Sequence, residues 1–291
     1  MTILADSKTR VIVQGMTGRA GTFYSDAAIR YGSKYVAGVR PGKGGRHHLG
    51  LPMFNSVSEA AEAANADASL VVVPAYQAAS AIIESIEAEI GLIVCITERV
   101  PIHDMVRVKH VLDGSRSELV GPNSQGVLVP GQCKIGVVPT SAAQPGKVGI
   151  ISRSASLTSE IVAQTSMAGL GQSAIVGIGG DPIHGIGFRR CLELFREDPD
   201  TEGVILIGEI GGLEEEEAAE YIADGQFGKP VAALIVGRHA PDERRMGHAG
   251  TLSVLEGGSA RAKCEILEDA GALVARHADD VVPRLRGALG A

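Results

Sequence analysis

Short runs of β-branched aliphatic residues alternate with longer, Ala-rich stretches of helical periodicity along the whole chain, and this alternation restricts the fold more than any other feature. In the first half, strand-like runs at 9–14, 35–39, 68–73, 92–97 and 119–121 are separated by helical patterns at 22–31, 57–64, 78–88 and 102–112. Strand, helix and strand in that order make a βαβ unit, whose strands are parallel and whose crossover is right-handed. A second series starts after Pro145-Gly146, with strands at 148–152, 174–177, 203–207, 231–236 and 272–276 and helices at 157–168, 186–197, 214–223, 261–270 and 279–289. The expected fold is therefore α/β, with one parallel-sheet domain over 1–126 and another over 147–291. Residues 127–146, with Pro130, Gly131, Pro139 and Pro145, read as the linker between them.

Composition agrees with that plan. A chain of 291 residues is comfortable for two domains. Hydrophobic residues make up 45% but aromatics only 3%, with no Trp, so both cores must be aliphatic, as in parallel sheets covered on both faces. The net charge of −7 argues against a nucleic-acid partner. The N-terminal MTILADSKTR lacks an apolar signal core and no run spans a bilayer, so a soluble cytoplasmic protein is expected. Cys95, Cys133, Cys191 and Cys264 lie far apart, which suits a reducing compartment. Apart from adjacent His47 and His48, the histidines at 103, 110, 184, 239 and 277 do not cluster, and no metal site is assigned.

Two places combine glycine turns with helix starts. The first strand runs into Gly15-Met16-Thr17-Gly18-Arg19-Ala20-Gly21-Thr22. Free backbone N–H groups and the helix dipole favour an anion there, although a tight strand-to-helix turn needs the same glycines. A nicotinamide dinucleotide fold wants glycine where Thr17 stands and an acid after the second strand. This chain has Val39-Arg40-Pro41-Gly42-Lys43 instead, which suits a phosphorylated ribose and makes an NAD-dependent oxidoreductase a poor reading. In the second half, Ser152-Arg153-Ser154-Ala155-Ser156 leads from a strand into a helix; its N–H groups and hydroxyls suit phosphate, or serve as plain N-caps.

His248, in Arg-Arg-Met-Gly-His-Ala-Gly at 244–250, is the candidate nucleophile. An imidazole nitrogen attacks phosphorus only when the ring is neutral and aimed, which a carboxylate on the other nitrogen achieves. Glu209 ends a buried-looking strand in Ile207-Gly208-Glu209-Ile210-Gly211-Gly212, where an acid is costly without a partner, so it is the candidate orienting group. Each also has a plainer reading: a surface-loop histidine, and an N-terminal cap for the next helix. The acid run 214–217 reads as a solvated helix start favoured by the dipole.

The segments PGKGGRHHLGLPMFN (41–55), GKVGIISRS (146–154), GIGGDPI (177–183), IGEIGG (207–212) and RRMGHAG (244–250), in that order, resemble the α subunit of succinyl-CoA synthetase and, more broadly, the NDP-forming acyl-CoA ligases. The resemblance implies an N-terminal Rossmann-like CoA-binding domain followed by a flavodoxin-like domain carrying a phosphohistidine. It puts Thr17, Gly18, Arg19, Ala20, Lys43, Val73, Pro74, Ile96, Thr97 and Glu98 at coenzyme A positions and supports His248 and Glu209 as the catalytic pair. It also implies a β subunit with an ATP-grasp domain that binds ATP or GTP with Mg2+, since this chain has no G-x-x-x-x-G-K-[ST] loop of its own.

Departures from the family pattern gather where the acid is expected. Asn123-Ser124-Gln125-Gly126 replaces the usual Asn-Cys-Pro-Gly, Ala155-Ser156 replaces Gly-Thr, Ser159 stands in place of Tyr, and Pro139-Thr140-Ser141-Ala142-Ala143 replaces a Gly-His-rich segment. Arg19-Ala20 also replaces a small polar pair. Asn123, Ser124, Gln125 and Ser159 thus outline a larger, wetter substrate pocket. The expected acid is succinate or a more polar relative, such as malate or a sulfonated acid; a non-catalytic CoA-binding regulatory protein is the alternative.

Overall fold

The computed structural model describes residues 3–240, 247–251 and 258–290. The first sheet has seven strands: β1 (Arg10–Gln14), β2 (Lys34–Val39), β3 (His47–His48), β4 (Leu51–Phe54), β5 (Ala68–Val71), β6 (Leu92–Cys95) and β7 (Glu118–Val120), in the order β3-β4-β2-β1-β5-β6-β7. All its pairings are parallel except β3 with β4. Helices α1 (Arg19–Tyr31), α2 (Val57–Ala64), α3 (Ala75–Glu87) and α4 (Ile102–Leu112) connect them. The second sheet holds β8 (Gly126–Val129), β9 (Cys133–Gly136), β10 (Pro145–Ser152), β11 (Gln172–Gly177), β12 (Gly203–Glu209), β13 (Val231–Val236) and β14 (Leu273–Ala275), in the order β14-β13-β12-β10-β11-β8-β9. Its helices are α5 (Ala155–Met167), α6 (Phe188–Glu197), α7 (Glu214–Ala223), α8 (Ala260–Asp269) and α9 (Ala278–Leu289).

Both parallel cores start in the middle, step outward and then reverse: β1 is followed by β2 and β4 on one side before β5 on the other, and β10 by β11 before β12. The reversal opens a crevice beyond the C-terminal ends of β1 and β5, and another beyond those of β10 and β12, which is where open α/β sheets bind ligands. Central strands such as β5, β6 and β12 are buried at every residue, as helices on both faces demand. Helix α6 buries Phe188, Cys191, Leu192 and Phe195 along one stripe, and Gly149 makes room for Phe195: a Cβ there would stand 2.4 Å from the ring.

Residues 127–146 are not a simple linker. They hold most of the hairpin β8–β9 and the first residues of β10, and β8 pairs antiparallel with β11 to extend the second sheet. Pro130-Gly131, read as linker composition, is the hairpin turn: Gly131 has φ of 76° and Gln132 N–H donates to the Val129 carbonyl. Gly126 and Gly136 face each other so closely that a Cβ on Gly126 would stand 2.0 Å from the Ile135 oxygen. The strands expected at 68–73 and 92–97 end at Val71 and Cys95, which frees residues 72–74 and 96–98 from the ladder. Helix α1 starts at Arg19, three residues earlier than its apolar pattern indicates. Among the described residues no helix is long and apolar enough to cross a membrane.

Candidate active site

The first crevice is built by glycine. Gly15 follows β1 with φ of 82°, and a Cβ on it would stand 2.3 Å from the Val72 carbonyl oxygen, so only glycine lets these two loops approach. A cavity of about 600 Å³ lies there, lined among others by Gly15, Gly18, Val39, Arg40, Val73, Pro74, Tyr76 and Glu84. Arg40 donates to the Thr17 hydroxyl and so closes one side of the loop. Gly18, Val72, Val73 and Pro74 also line a second cavity of about 580 Å³, so the two spaces adjoin.

The second cavity draws its wall from both halves of the chain. Arg19, Ala20, Ile96, Thr97 and Glu98 come from the first sheet's loops, and Ser152, Arg153, Ala155, Gly179 and His248 from the second's, with Asn123, Ser124 and Gln125 between them. Thr97 donates to the Val73 carbonyl at 2.8 Å and its own carbonyl accepts from Asn123 N–H at 2.9 Å, tying three wall loops together. Asn123 Nδ2 donates to Asp181 Oδ1 at 3.0 Å. Burial raises the Asp181 pKa, and the Asn123 hydrogen bond opposes it.

His248 and Glu209, 39 residues apart, meet over the second crevice. His248 Nδ1 lies 2.9 Å from Glu209 Oε2 and 3.0 Å from Oε1. The Glu209 hydrogen bond raises the His248 pKa above its ordinary value of 6.5, and burial opposes it. With Nδ1–H donating to the carboxylate, the neutral ring carries its lone pair on Nε2. Residues 244–246 of the motif that contains His248 lie outside the described residues.

A buried charge network braces Glu209 from behind. Glu209 N–H donates to Glu215 Oε1 at 3.1 Å. Fully buried Glu215 pairs with fully buried Lys263 at 2.6 Å, and Lys263 also reaches Glu216 at 2.9 Å and the Gly212 carbonyl at 3.1 Å. Arg153 pairs with Glu214 at 2.7 Å, and His184 Nε2 lies 2.9 Å from the same carboxylate. Burial pushes the Glu214 pKa up, but the His184 hydrogen bond and the charges of His184, Arg153 and Lys263 together lower it. The acid run 214–217 is therefore not simply a solvated helix start: Glu215 faces inward because α8 brings a lysine to meet it.

Several candidates sit elsewhere than expected. Thr17 and Lys43 do not line either cavity; Thr17 is engaged by Arg40, and Lys43 stands partly exposed on the loop beyond it. Ser154 caps α5 by accepting from Leu157 N–H, and its own N–H donates to the Ser152 hydroxyl, so local backbone takes up both serines. Ser156 is exposed, and Ser159 donates to the Ala155 carbonyl; neither belongs to the cavity wall. Tyr24, Val137, Tyr76, Gln77 and Ser80 line the two cavities without having been singled out. Only the polar face at the start of α3 hinted at the last three. Among the described residues no group of three or more His, Cys, Asp or Glu side chains is placed to hold a metal.

Residues 6–99 match the CoA binding domain family and residues 151–273 the CoA-ligase family. The chain is 50% identical over 276 residues to succinate–CoA ligase [ADP-forming] subunit alpha of Aquifex aeolicus, covering 94% of this chain and 90% of that one. It is 47% identical over 287 residues to succinate–CoA ligase [ADP-forming] subunit alpha 1 of Archaeoglobus fulgidus, covering 99% and 98%. Among solved structures, ATP citrate lyase from Methanothrix soehngenii in complex with citrate and coenzyme A superposes with a TM-score of 0.89 at 24% identity, covering 99% of this chain and 50% of that one. A dinucleotide forming acetyl-coenzyme A synthetase from Ca. Korarchaeum cryptofilum gives a TM-score of 0.76 at 20% identity, covering 94% and 59%. The chain thus spans only half to three-fifths of those two structural neighbours, and at such identities the likeness concerns the fold.

Proposed function

The chain belongs to the succinate–CoA ligase α-subunit family, and on that premise we propose that it is the α subunit of an NDP-forming acid–CoA ligase in which His248 carries the phosphoryl group. The reaction is acid + CoA + NTP ⇌ acyl-CoA + NDP + phosphate. The observation that carries this reading is the Glu209–His248 pair, with the imidazole forming part of a cavity that adjoins a second one suited to a nucleotide.

His248 Nε2 attacks the γ-phosphorus while the bond to the departing diphosphate breaks, and Glu209 stabilises the charge that develops on the ring. A carboxylate oxygen of the acid then takes the phosphoryl group from Nε2, giving an acyl phosphate and restoring the neutral histidine. Coenzyme A, when bound, supplies the thiol that takes the acyl group and releases phosphate. Two adjoining cavities suit its length: Arg40, Gly18, Val73 and Pro74 flank the nucleotide end, Arg40 in the wall and Lys43 on the loop beyond it offer charge to a ribose phosphate, and Ile96, Thr97 and Glu98 lead toward His248. Ser152, Arg153 and Ala155, where the Ser152–Ser156 turn reaches the cavity wall at the start of α5, form the cradle for the transferred phosphate. ATP or GTP with Mg2+ sits on a β subunit of ATP-grasp type.

The acid is succinate or a more polar relative such as malate or a sulfonated acid, and the polar pair Ser124-Gln125 in the wall supports that choice. The four cysteines are free and buried, which supports a reducing, cytoplasmic setting.

The test is to incubate the assembled complex with γ-labelled ATP. An acid-labile, alkali-stable label on the chain, absent in His248→Ala, is expected. Label that survives in His248→Ala refutes the site, and no label in the unaltered complex refutes the ligase reading in favour of a CoA-binding regulatory protein.

A further inference from the structure

Gln125 stands in the wall of the cavity that holds His248, with only 5% of the residue exposed. Two contacts fix its side chain. Nε2 donates to Thr158 Oγ1 at 2.7 Å, and the stem packs on Gly177, where an added Cβ would stand 2.4 Å from Cγ. Thr158 decides which way round the amide sits. Its hydroxyl proton goes to the Ser154 carbonyl at 2.7 Å, so Oγ1 can only accept and the amide must turn its NH2 toward it. That leaves Oε1 on the other side, buried and without a hydrogen-bond partner among the described residues. An amide oxygen held this way is costly, and a donor from a ligand or from an ordered water relieves it.

We propose that Gln125 Oε1 accepts a hydrogen bond from a hydroxyl group of the acid, so that the substrates of this ligase are hydroxy acids. The inference rests on the ligase reading and narrows it. Gln125 is anchored on α5 and β11, which belong to the sheet that carries His248, whereas Val73, Pro74 and Ile96–Glu98 leave the other sheet. The acid must bring its carboxylate to His248 and therefore lies on the Gln125 side. A plain dicarboxylate or a sulfonate, ionised at neutral pH, offers only acceptor oxygens and would set acceptor against acceptor. A hydroxyl supplies the donor and adds no charge to a wall that already holds Glu98 and an Arg153 paired with Glu214. Oε1 is itself buried in the ligand-free wall, so the hydroxyl reaches it only as the wall adjusts around the acid.

The experiment uses the complex assembled with its β subunit, CoA and ATP, and compares matched acids: acetate with glycolate, propanoate with lactate and 3-hydroxypropanoate, succinate with malate, and 3-sulfopropanoate beside them. In the set with the highest turnover, the hydroxy acid is expected to exceed its parent in kcat/KM about tenfold or more. Gln125→Leu should bring that ratio below about threefold by lowering the hydroxy acid's value, with His248 labelling by ATP and the KM for CoA unchanged. Gln125→Met is the second variant, and the wild-type ratio decides alone if both fail to fold. Equal or better turnover of an unsubstituted or sulfonated acid by the wild type overturns the inference. So does a ratio that survives Gln125→Leu, or a variant that acts by raising the KM for CoA, which would assign the amide to CoA. Absence of His248 labelling in the wild type is a different result: it removes the ligase reading itself.

Discussion

The imidazole of His248 lies across Gly180 so closely that a Cβ added to that glycine would stand 2.4 Å from both Cγ and Nδ1 of the ring. Glu209 fixes the ring from one side and Gly180 gives it a floor. Gly180→Ala must therefore push the ring off its carboxylate. The variant is expected to lose His248 phosphorylation by about a hundredfold, the scale of a misplaced reacting group, while CoA binding measured by calorimetry stays unchanged. Normal labelling in Gly180→Ala would show that the ring is not held there.

The Glu209 hydrogen bond raises the His248 pKa, and the nucleophile must be neutral. The phosphorylation rate is expected to fall on the acid side with a midpoint above the ordinary 6.5, and Glu209→Gln should move that midpoint down while lowering the plateau about a hundredfold. Stability follows the opposite course. The pair's contribution is fully present below 6.5, the unfolded value, and is lost as pH rises through the raised folded value. A pH–rate profile of single-turnover labelling, with thermal melts at the same pH values, checks both signs.

Lys263 and Glu215 are both wholly buried, 2.6 Å apart. Lys263→Met removes the cation nearest Glu215 and Glu216, leaving Glu215 only the longer 3.5 Å approach of Arg153, and urea unfolding is expected to show a loss of about 3–5 kcal/mol. Adding Glu215→Gln should recover part of it, since the loss comes mainly from the unpaired charge. An unchanged midpoint would mean the network contributes nothing to the fold.

Glu214 has a lowered pKa through His184, Arg153 and Lys263 despite its burial. Its contribution to stability is present above the ordinary 4.5 and is lost as pH falls through the lower folded value. Glu214→Gln should therefore flatten the acid limb of the stability curve and leave the neutral-to-alkaline limb parallel to wild type. Melting temperatures from pH 3 upward, at steps of about one unit, test this.

Arg40 lines the nucleotide crevice, Lys43 stands on the loop beyond it, and no acid follows the second strand at the ribose position. Lys43→Ala is expected to raise the KM for CoA about tenfold and to leave that for dephospho-CoA nearly unchanged, with the difference shrinking at high salt. Equal effects on both ligands would place the lysine away from the 3′-phosphate.

Where strand or helix periodicity runs unbroken, the bounds of an element follow from the pattern. Helices Val57–Ala64, Ile102–Leu112 and Glu214–Ala223 and strand Val231–Val236 have the expected bounds. Elements escaped where local composition pointed another way. The hairpin over 126–136 carries Pro130-Gly131, which marks a turn as readily as a linker, and what makes it sheet is the free edge of β11 waiting beside it. His47–His48 and Leu51–Phe54 are too short to show a period. In the site, the glycine loops and the strand-end residues were legible because crossover topology sends such residues to one edge. Ser154, Ser156 and Ser159 were not separable by sequence: a serine at a helix start caps, binds anions or folds back on its own backbone, and only position decides.

The sequence by itself determined two parallel βαβ series, their aliphatic cores and the glycine turns at their strand ends, because these depend on periodicity and on φ angles that neighbouring residues impose. Only the tertiary structure decided that Glu209 meets His248, that Lys263 answers Glu215, and that Thr158 turns the Gln125 amide so that its oxygen has no partner among the described residues. Those outcomes depend on which strand ends the sheet winding brings together, and on which donors and acceptors are already taken once it has done so.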